Sequence, residues 1–349
     1  MGQDAAVATA TGDERVARQS LLGKLLGRPE LGALTGAVVL FVFFGIVADA
    51  FLELNSLATV LYGSSTIGIM AVSVSLLMIG GEFDLSAGVQ VTTASLTASM
   101  VAYQLSLNVW AGALVSLVVM LAIGLVNGLL YVKTGLPSFI ITLGMFLMLT
   151  GLNLGVTRLV TGNVASDSIT DMDGFDTAEA VFSSDVSVFG LQLDITIFWW
   201  LLFVVIATWI LIRTRAGNWI YAVGGSAASA RAVGVPVART KIALFMGVGF
   251  TSWFLGMHLL FAFNTVQSGE GVGNELIYIS AAVIGGCLLT GGYGTAVGAA
   301  TGAFIFGMAN KGIIYAQWSP DWFLFFLGFM LLTATLLNSW IRRRAEVAR

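Results

Sequence analysis

Apolar residues run along this chain in long stretches, broken by short joints rich in glycine and polar residues. Stretches of spanning length, about 17–25 residues, fall near 31–50, 57–79, 86–104, 107–131, 138–157, 195–212, 242–263, 276–290, 295–315 and 321–341. The eighth is short and glycine-rich, which leaves its ends open. The pattern predicts an all-α polytopic membrane protein with about ten transmembrane helices. It divides the chain into a tail at 1–30, a single membrane domain at 31–341 and a second tail at 342–349. Within that domain, polar segments interrupt the apolar pattern at 158–194 and 213–241.

Composition agrees with the pattern. Of the residues, 57% are hydrophobic and only 10% charged, against roughly 25% charged in soluble domains. Forty-two glycines beside four prolines suit closely packed membrane helices. The net charge of −3 excludes a basic nucleic-acid binder. The one cysteine, Cys287, lies in an apolar run, so no disulfide framework or paired-thiol metal site is expected. Ala48-Asp49-Ala50 imitates a signal-peptide cleavage site, but the apolar run before it is long enough to span, and the first span is read as retained.

An even number of spans puts both termini on one side. With the ends in the cytoplasm, the inner segments collect Arg15, Arg18, Lys24, Arg28, Lys133, Arg213, Arg215, Arg231, Arg239, Lys241, Arg342, Arg343, Arg344 and Arg349, which is 14 of the 16 basic residues. Only Arg158 and Lys311 fall outside. The positive-inside rule then expects N- and C-termini in the cytoplasm. The outer loop 158–194 carries Asp167, Asp171, Asp173, Asp176, Glu179, Asp185 and Asp194, to be read as a solvated acidic face or as a partner-docking surface.

Inside the segment 213–241, SAASARAVGVP reads as a miniature helix. Ser226 is an N-cap, Ala227 to Val233 form the helix, Gly234 is the stop and Pro236 forbids continuation. About seven residues do not hold a helix in water, where roughly 12–15 are needed. The segment lacks the aromatic and leucine stripe of an interfacial helix, and its alanines suit close approach to another protein. Arg231 complements the dipole at the C-terminal end. Two readings stay open: a turn held by its own neighbours, or a docking element.

Other blocks carry chemistry of their own. In GGEFDLSAG, Gly80 and Gly81 end the second span and Asp84 or Ser86 caps the third, or touches solute. Glu82 and Asp84 are placed at the membrane edge, where ionised carboxylates cost little. Gly294, Gly298 and Gly302 form a small-residue stripe for helix contact. Asn127 and Asn310 are amides inside spans that need a partner, on a neighbouring helix or on a solute hydroxyl. His258, the single histidine, cannot make a metal site alone and is either packed and hydrogen-bonded or a proton relay. Gly124, Asn127 and Gly128 precede Pro137, Phe139 and Gly144-Met145, while Gly307, Asn310 and Gly312 precede Pro320, Phe323 and Gly328. The echo links spans four and five with nine and ten and predicts an inverted repeat of two half-bundles.

Four blocks in order resemble the permeases of ribose-type ABC transporters, members of the broader family that includes branched-chain amino-acid permeases. In Gly217 to Met257, Ala222, Gly224, Ala230, Arg231, Gly234, Val235, Val237 and Lys241 match the family's cytoplasmic loop. Ser226 stands where the family usually has Asn, and Ser229 where the first Ala of a pair falls. GGEFDLSAG, GLPSFIITLGM and GGCLLTGGYGTAVGAATGA resemble the other three blocks, and the likeness covers about 50 to 341. The resemblance implies that Gly225, Ser226, Ala228, Arg231 and Gly234 form a coupling loop seated in a groove of a separate ATPase. It further implies a permease homodimer, an external sugar-binding protein, and transport of a monosaccharide or similar polyol by alternating access in a bacterial inner membrane. Phe139 and Thr142, in GLPSFIITLGM, are expected with Asn127 and Asn310 along the translocation pathway; packing roles are the alternative. This chain itself is expected to bind no cofactor, ATP and Mg residing on the ATPase. No G-x-x-x-x-G-K-[ST] phosphate loop occurs in the sequence. A gradient-driven secondary transporter is the competing reading, but it would place ionisable groups near mid-membrane; an intramembrane enzyme would need a nucleophile–base pair or a metal cluster.

Overall fold

The computed structural model describes residues 29–188 and 190–347, with side chains for 32–188 and 190–336. The basic residues of the N-terminal tail and Arg349 lie outside them. Among the described residues are thirteen helices: α1 (Pro29–Val47), α2 (Leu54–Ile79), α3 (Ala87–Gln104), α4 (Val109–Thr134), α5 (Ser138–Thr161), α6 (Phe175–Phe182), α7 (Ile195–Arg213), α8 (Arg215–Gly225), α9 (Ala227–Ala232), α10 (Val237–Phe263), α11 (Asn274–Ile284), α12 (Ala296–Tyr315) and α13 (Trp322–Val347). Ten of them coincide with the ten apolar stretches. Six, α2, α4, α5, α7, α10 and α12, are long and apolar enough to cross a membrane; α1, α11 and α13 hold shorter apolar runs. The chain is thus a mostly helical polytopic protein. Helices satisfy their own backbone, which is what a segment in lipid requires.

Helix ends follow local chemistry. Asn108, Asp194, Thr214 and Thr295 accept backbone N–H bonds at the starts of α4, α7, α8 and α12. Gly135 and Gly162 take the left-handed conformation after α4 and α5.

α2, α10 and α12 form the buried centre of the bundle, while α4, α5 and α7 leave most of their surface uncovered. α4 packs most extensively on α10, and α12 on α2. Missing side chains allow both contacts: a Cβ on Gly124 would sit 2.5 Å from the Phe245 carbonyl oxygen, and one on Gly307 would overlap Ser64. Large apolar side chains such as Val38, Leu114, Leu147, Val205 and Leu324 project outward, as expected of surfaces solvated by lipid.

Two expectations need correction. The eighth stretch is helical only to Ile284; 285–295 is a non-helical loop, and Gly294, at φ +145°, precedes α12 instead of lying on it. Gly298 and Gly302 do pack α12 against α11. The segment 158–194 is more than a loop, and the chain is not wholly α. It contains α6 and a two-stranded antiparallel hairpin, β1 (Asp185–Val188) with β2 (Leu191–Asp194), in which Val186 faces Leu193. A four-residue alternation is too short to register beside spans of twenty apolar residues. Phe175, Ala178 and Phe182 of α6 are buried, and Phe182 stacks on Phe261 of α10 at 5.8 Å. Asp171, Asp176, Glu179 and Asp185 remain exposed, which fits the solvated reading.

His258 fastens this cap to the bundle. Its Nδ1 lies 2.7 Å from the Phe182 carbonyl oxygen and its Nε2 lies 3.1 Å from the Tyr62 hydroxyl. A carbonyl only accepts, so Nδ1 carries the proton and Nε2 accepts from Tyr62. Thr196 adds a third contact at 2.9 Å. The histidine is packed and hydrogen-bonded, joining α2, α6, α7 and α10.

Candidate functional site

The miniature helix is present as α9, one residue shorter than expected. Ser226 caps it, its Oγ accepting from Ser229 N at 3.2 Å. Val235 N donates back to Ala230 O at 3.0 Å and Gly234 N to Arg231 O at 3.1 Å, with Gly234 at φ +84°. Its support comes from its neighbours: Ala230 packs with Val223 of α8 and Val237 of α10 in a small apolar cluster. The opposite face is bare. Gly225, Ser226, Ala228, Arg231 and Gly234 are all exposed, and Val233 is 79% exposed. The structure therefore gathers the five residues expected to form the coupling loop on one uncovered ridge.

Beneath that ridge lies a junction built of backbone. A Cβ on Gly291 would sit 2.7 Å from Cα of Gly81 and 2.8 Å from the Gly224 oxygen. One on Gly292 would sit 2.9 Å from Cα of Gly225, and one on Gly224 would overlap the Ile79 carbonyl. Gly292 N donates to Ile79 O at 2.8 Å, and the Tyr221 hydroxyl donates to Gly294 O at 2.8 Å. Gly81, Gly291 and Gly292 have φ of +85°, +81° and +73°, which glycine adopts without strain. The end of α2, the end of α8 and the 285–295 loop thus meet without side chains between them.

Next to the junction, Glu82 and Lys241 form an ion pair whose side chains are 7% and 6% exposed. Lys241 Nζ also donates to the Tyr131 hydroxyl at 2.9 Å and lies 4.7 Å from the centroid of that ring. The pair ties the turn after α2 to α4 and α10. The sequence expects Glu82 and Asp84 at the membrane edge, where ionised carboxylates cost little. Both are buried in the protein, at 5% and 0% exposure, and the protein supplies the partners that water would otherwise give.

Asp84 accepts from Ser86 N at 2.8 Å, from Ser86 Oγ and from Gln90 Nε2 at 3.0 Å. Asn127 Nδ2 reaches Ser86 Oγ at 3.3 Å. Thr142 Oγ1 accepts from Leu85 N at 3.1 Å and donates to Ser138 O at 2.9 Å, and Ser138 Oγ accepts from Phe83 N at 3.2 Å. Two expected pathway residues, Asn127 and Thr142, therefore meet around the non-helical turn between α2 and α3 and satisfy its polar groups. Ser86 occupies the N-cap position of α3 without capping it; Asp84 takes its hydroxyl. Phe139, on the outer side of α5, is 54% exposed. Asn310 is apart from the other three, lining a cavity near the start of α2. Among the described residues, no cluster of three or more His, Cys, Asp or Glu could hold a metal ion.

Residues 56–335 match the family described as branched-chain amino acid transport system / permease component. The chain belongs to this permease family. The permease is similar to the ribose import permease protein RbsC of Escherichia coli (strain K12), 29% identical over 89% of this chain and 94% of the relative. It is 32% identical to the galactose/methyl galactoside import permease protein MglC of Haemophilus influenzae, over 86% of this chain and 92% of that one. The autoinducer 2 import system permease protein LsrC of Enterobacter sp. (strain 638) is 30% identical over 91% and 89%. No solved structure matches the chain. The permease blocks read from sequence, around 80–88, 217–241 and 285–303, are the ones that converge on the glycine junction. Sequence reasoning missed the Glu82–Lys241 pair; the signal was a single carboxylate and a single lysine, each next to an apolar span.

Proposed function

We propose that this permease is the membrane subunit of an ATP-driven importer for a monosaccharide, pentose or hexose, or a similar polyol. The observation that carries the proposal is the bare, small-residue ridge Gly225–Gly234 standing on a backbone junction that reaches α2, α8 and the 285–295 loop. A separate ATPase would seat α9 in a groove, with ATP and Mg on the ATPase. Its closing would move α9 and change the side to which the pathway opens. An external binding protein would deliver the sugar; the imported compounds named for the relatives, ribose and galactoside, support that class.

The finer architecture belongs to the same proposal. Ten crossings are supported by the ten apolar stretches and cytoplasmic termini by the charge distribution, with a bacterial inner membrane as the proposed compartment. An inverted repeat is supported by packing: exchanging spans one to five with six to ten maps the α4–α10 contact onto α12–α2, and α3–α4 onto α11–α12. A homodimer through α5 is supported by that helix's open face, where a Cβ on Gly144, Gly151 or Gly155 would meet nothing within 4 Å. The pathway would run between the two copies, with Phe139 on its wall.

The test is reconstitution with a candidate ABC-type ATPase supplied as a separate chain. The expected result is co-purification and sugar-stimulated ATP hydrolysis in liposomes. Sugar uptake driven by an ion gradient, with no ATPase, would overturn the reading in favour of a secondary transporter.

A further inference from the structure

The end of the bundle away from α9 holds a cavity of about 310 Å³ between α2, α10, α11 and α12, closed at one side by the start of α13. A volume near 300 Å³ is within the range of small-molecule sites. Its walls are apolar below, with Leu259 and Phe263, and polar where Tyr62, Asn274, Tyr278, Asn310 and Lys311 converge. Lys311 sits four residues inside the end of an otherwise apolar helix. An ionisable group in such a helix ordinarily has a partner or a task.

Lys241 has its partner in Glu82. Lys311 has none: among the described residues no carboxylate lies within ion-pair distance of it, and neither Asn274 nor Asn310 makes a side-chain hydrogen bond. Glu275, which follows the cavity-lining Asn274 on α11, is already engaged, its two oxygens accepting from Gly273 N at 3.2 and 3.1 Å. The Tyr62 hydroxyl is oriented by His258 at 3.1 Å. It keeps an acceptor lone pair free for a hydroxyl donor. One unopposed cation, two free amides and two phenols on one cavity describe a recognition surface with an unfilled charge.

We propose that this cavity binds, within the single chain, a small polyol bearing one oxyanion. Lys311 pairs with the anion; Asn274, Asn310 and Tyr278 bond the hydroxyls. Carboxylated or phosphorylated sugars have this chemistry, and so does the glycerol phosphate headgroup of an anionic lipid. The site lies apart from the α5 face, and its occupancy is independent of which solute the importer carries.

The test uses the full chain in nanodiscs of phosphatidylcholine alone, titrated calorimetrically with galacturonate, glycerol 3-phosphate and, as the neutral comparison, galactose. Galacturonate or glycerol 3-phosphate is expected to bind, with affinity falling at least about tenfold in Lys311→Gln, as loss of a charge-assisted pair implies. Lys311→Arg keeps the charge and should bind within about threefold of the native chain. A parallel arm adds phosphatidylglycerol and follows retained lipid by native mass spectrometry. Lipid retained by the native chain and lost in Lys311→Gln, with no binding of the soluble acids, assigns the site to the headgroup. Failure of all three anions to bind, or anion binding unchanged in a normally folded Lys311→Gln, overturns the proposal. These readouts need neither ATPase nor uptake, so they stand or fall separately from the importer assignment.

Discussion

The backbone amide of Gly292 donates to the carbonyl oxygen of Ile79 over 2.8 Å, across 213 positions of sequence. A hydrogen bond between two main chains this far apart requires that nothing protrude between them. Gly224, which abuts the same carbonyl, meets that condition.

Gly224→Ala is therefore expected to destabilise the permease by about 1–3 kcal/mol, the usual cost of forcing a methyl group into a filled space. Gly225→Ala is the control, since a Cβ there meets nothing within 4 Å. Thermal unfolding in detergent should separate the two; equal midpoints would show that the junction yields without cost.

The Glu82–Lys241 pair gives a second expectation. Lys241→Met leaves a buried carboxylate without its cation and should cost about 3–5 kcal/mol, whereas Glu82→Gln with Lys241→Met removes both charges and should recover most of that loss. Folding yield and SDS-unfolding midpoints measure it. A double variant no better than the single one would mean that the charges are not coupled.

Two alanines on α9 make opposite forecasts. Ala228 is exposed and Ala230 is 3% exposed. Ala228→Trp should leave the fold intact and abolish ATPase co-purification or uncouple hydrolysis from uptake. Arg231→Glu, reversing a charge that favours the helix end by about 0.3–1 kcal/mol, should weaken coupling in the same way. Ala230→Trp should instead disrupt the cluster with Val223 and Val237 and lower the yield of folded protein. Full coupled activity in Ala228→Trp would reduce α9 to a connector.

Thr142 separates packing from transport. Thr142→Val deprives Leu85 N of its acceptor and should cost about 1–3 kcal/mol. Thr142→Ser keeps the hydroxyl and should recover that stability. A KM for sugar raised in Thr142→Ser at unchanged stability would show that the side chain also touches solute.

The helices were legible because about twenty consecutive apolar residues have one favourable arrangement in lipid; caps such as Asn108 and Thr295 do not stand out beside those runs. α9 was legible from Ser226, Gly234 and Pro236 alone. The hairpin at Asp185–Asp194 was not, since Val186, Val188, Leu191 and Leu193 give too short an alternation to stand out. Convergence was hidden altogether. Gly81 reads only as a span end, and Gly224 and Gly291 only as members of separate family-like blocks; the packing of α2 against the rest of the bundle brings them together. For the same reason Glu82 and Lys241, 159 residues apart, looked like separate edge charges.

The glycine junction also bears on how cheaply the molecule can change shape. Ordinary helix contacts interlock, because side chains of one element fill hollows in the other and must be lifted out before either can shift. At Gly81, Gly224 and Gly291 there are no teeth to lift. The surfaces would then act as a plain bearing: a small slide breaks hydrogen bonds such as Gly292 N to Ile79 O and Tyr221 to Gly294 O, each about 0.5–1.5 kcal/mol net, without unpacking interdigitated side chains. A push on α9 would then be taken up first as sliding at its base, ahead of the far more extensive α4–α10 and α12–α2 contacts.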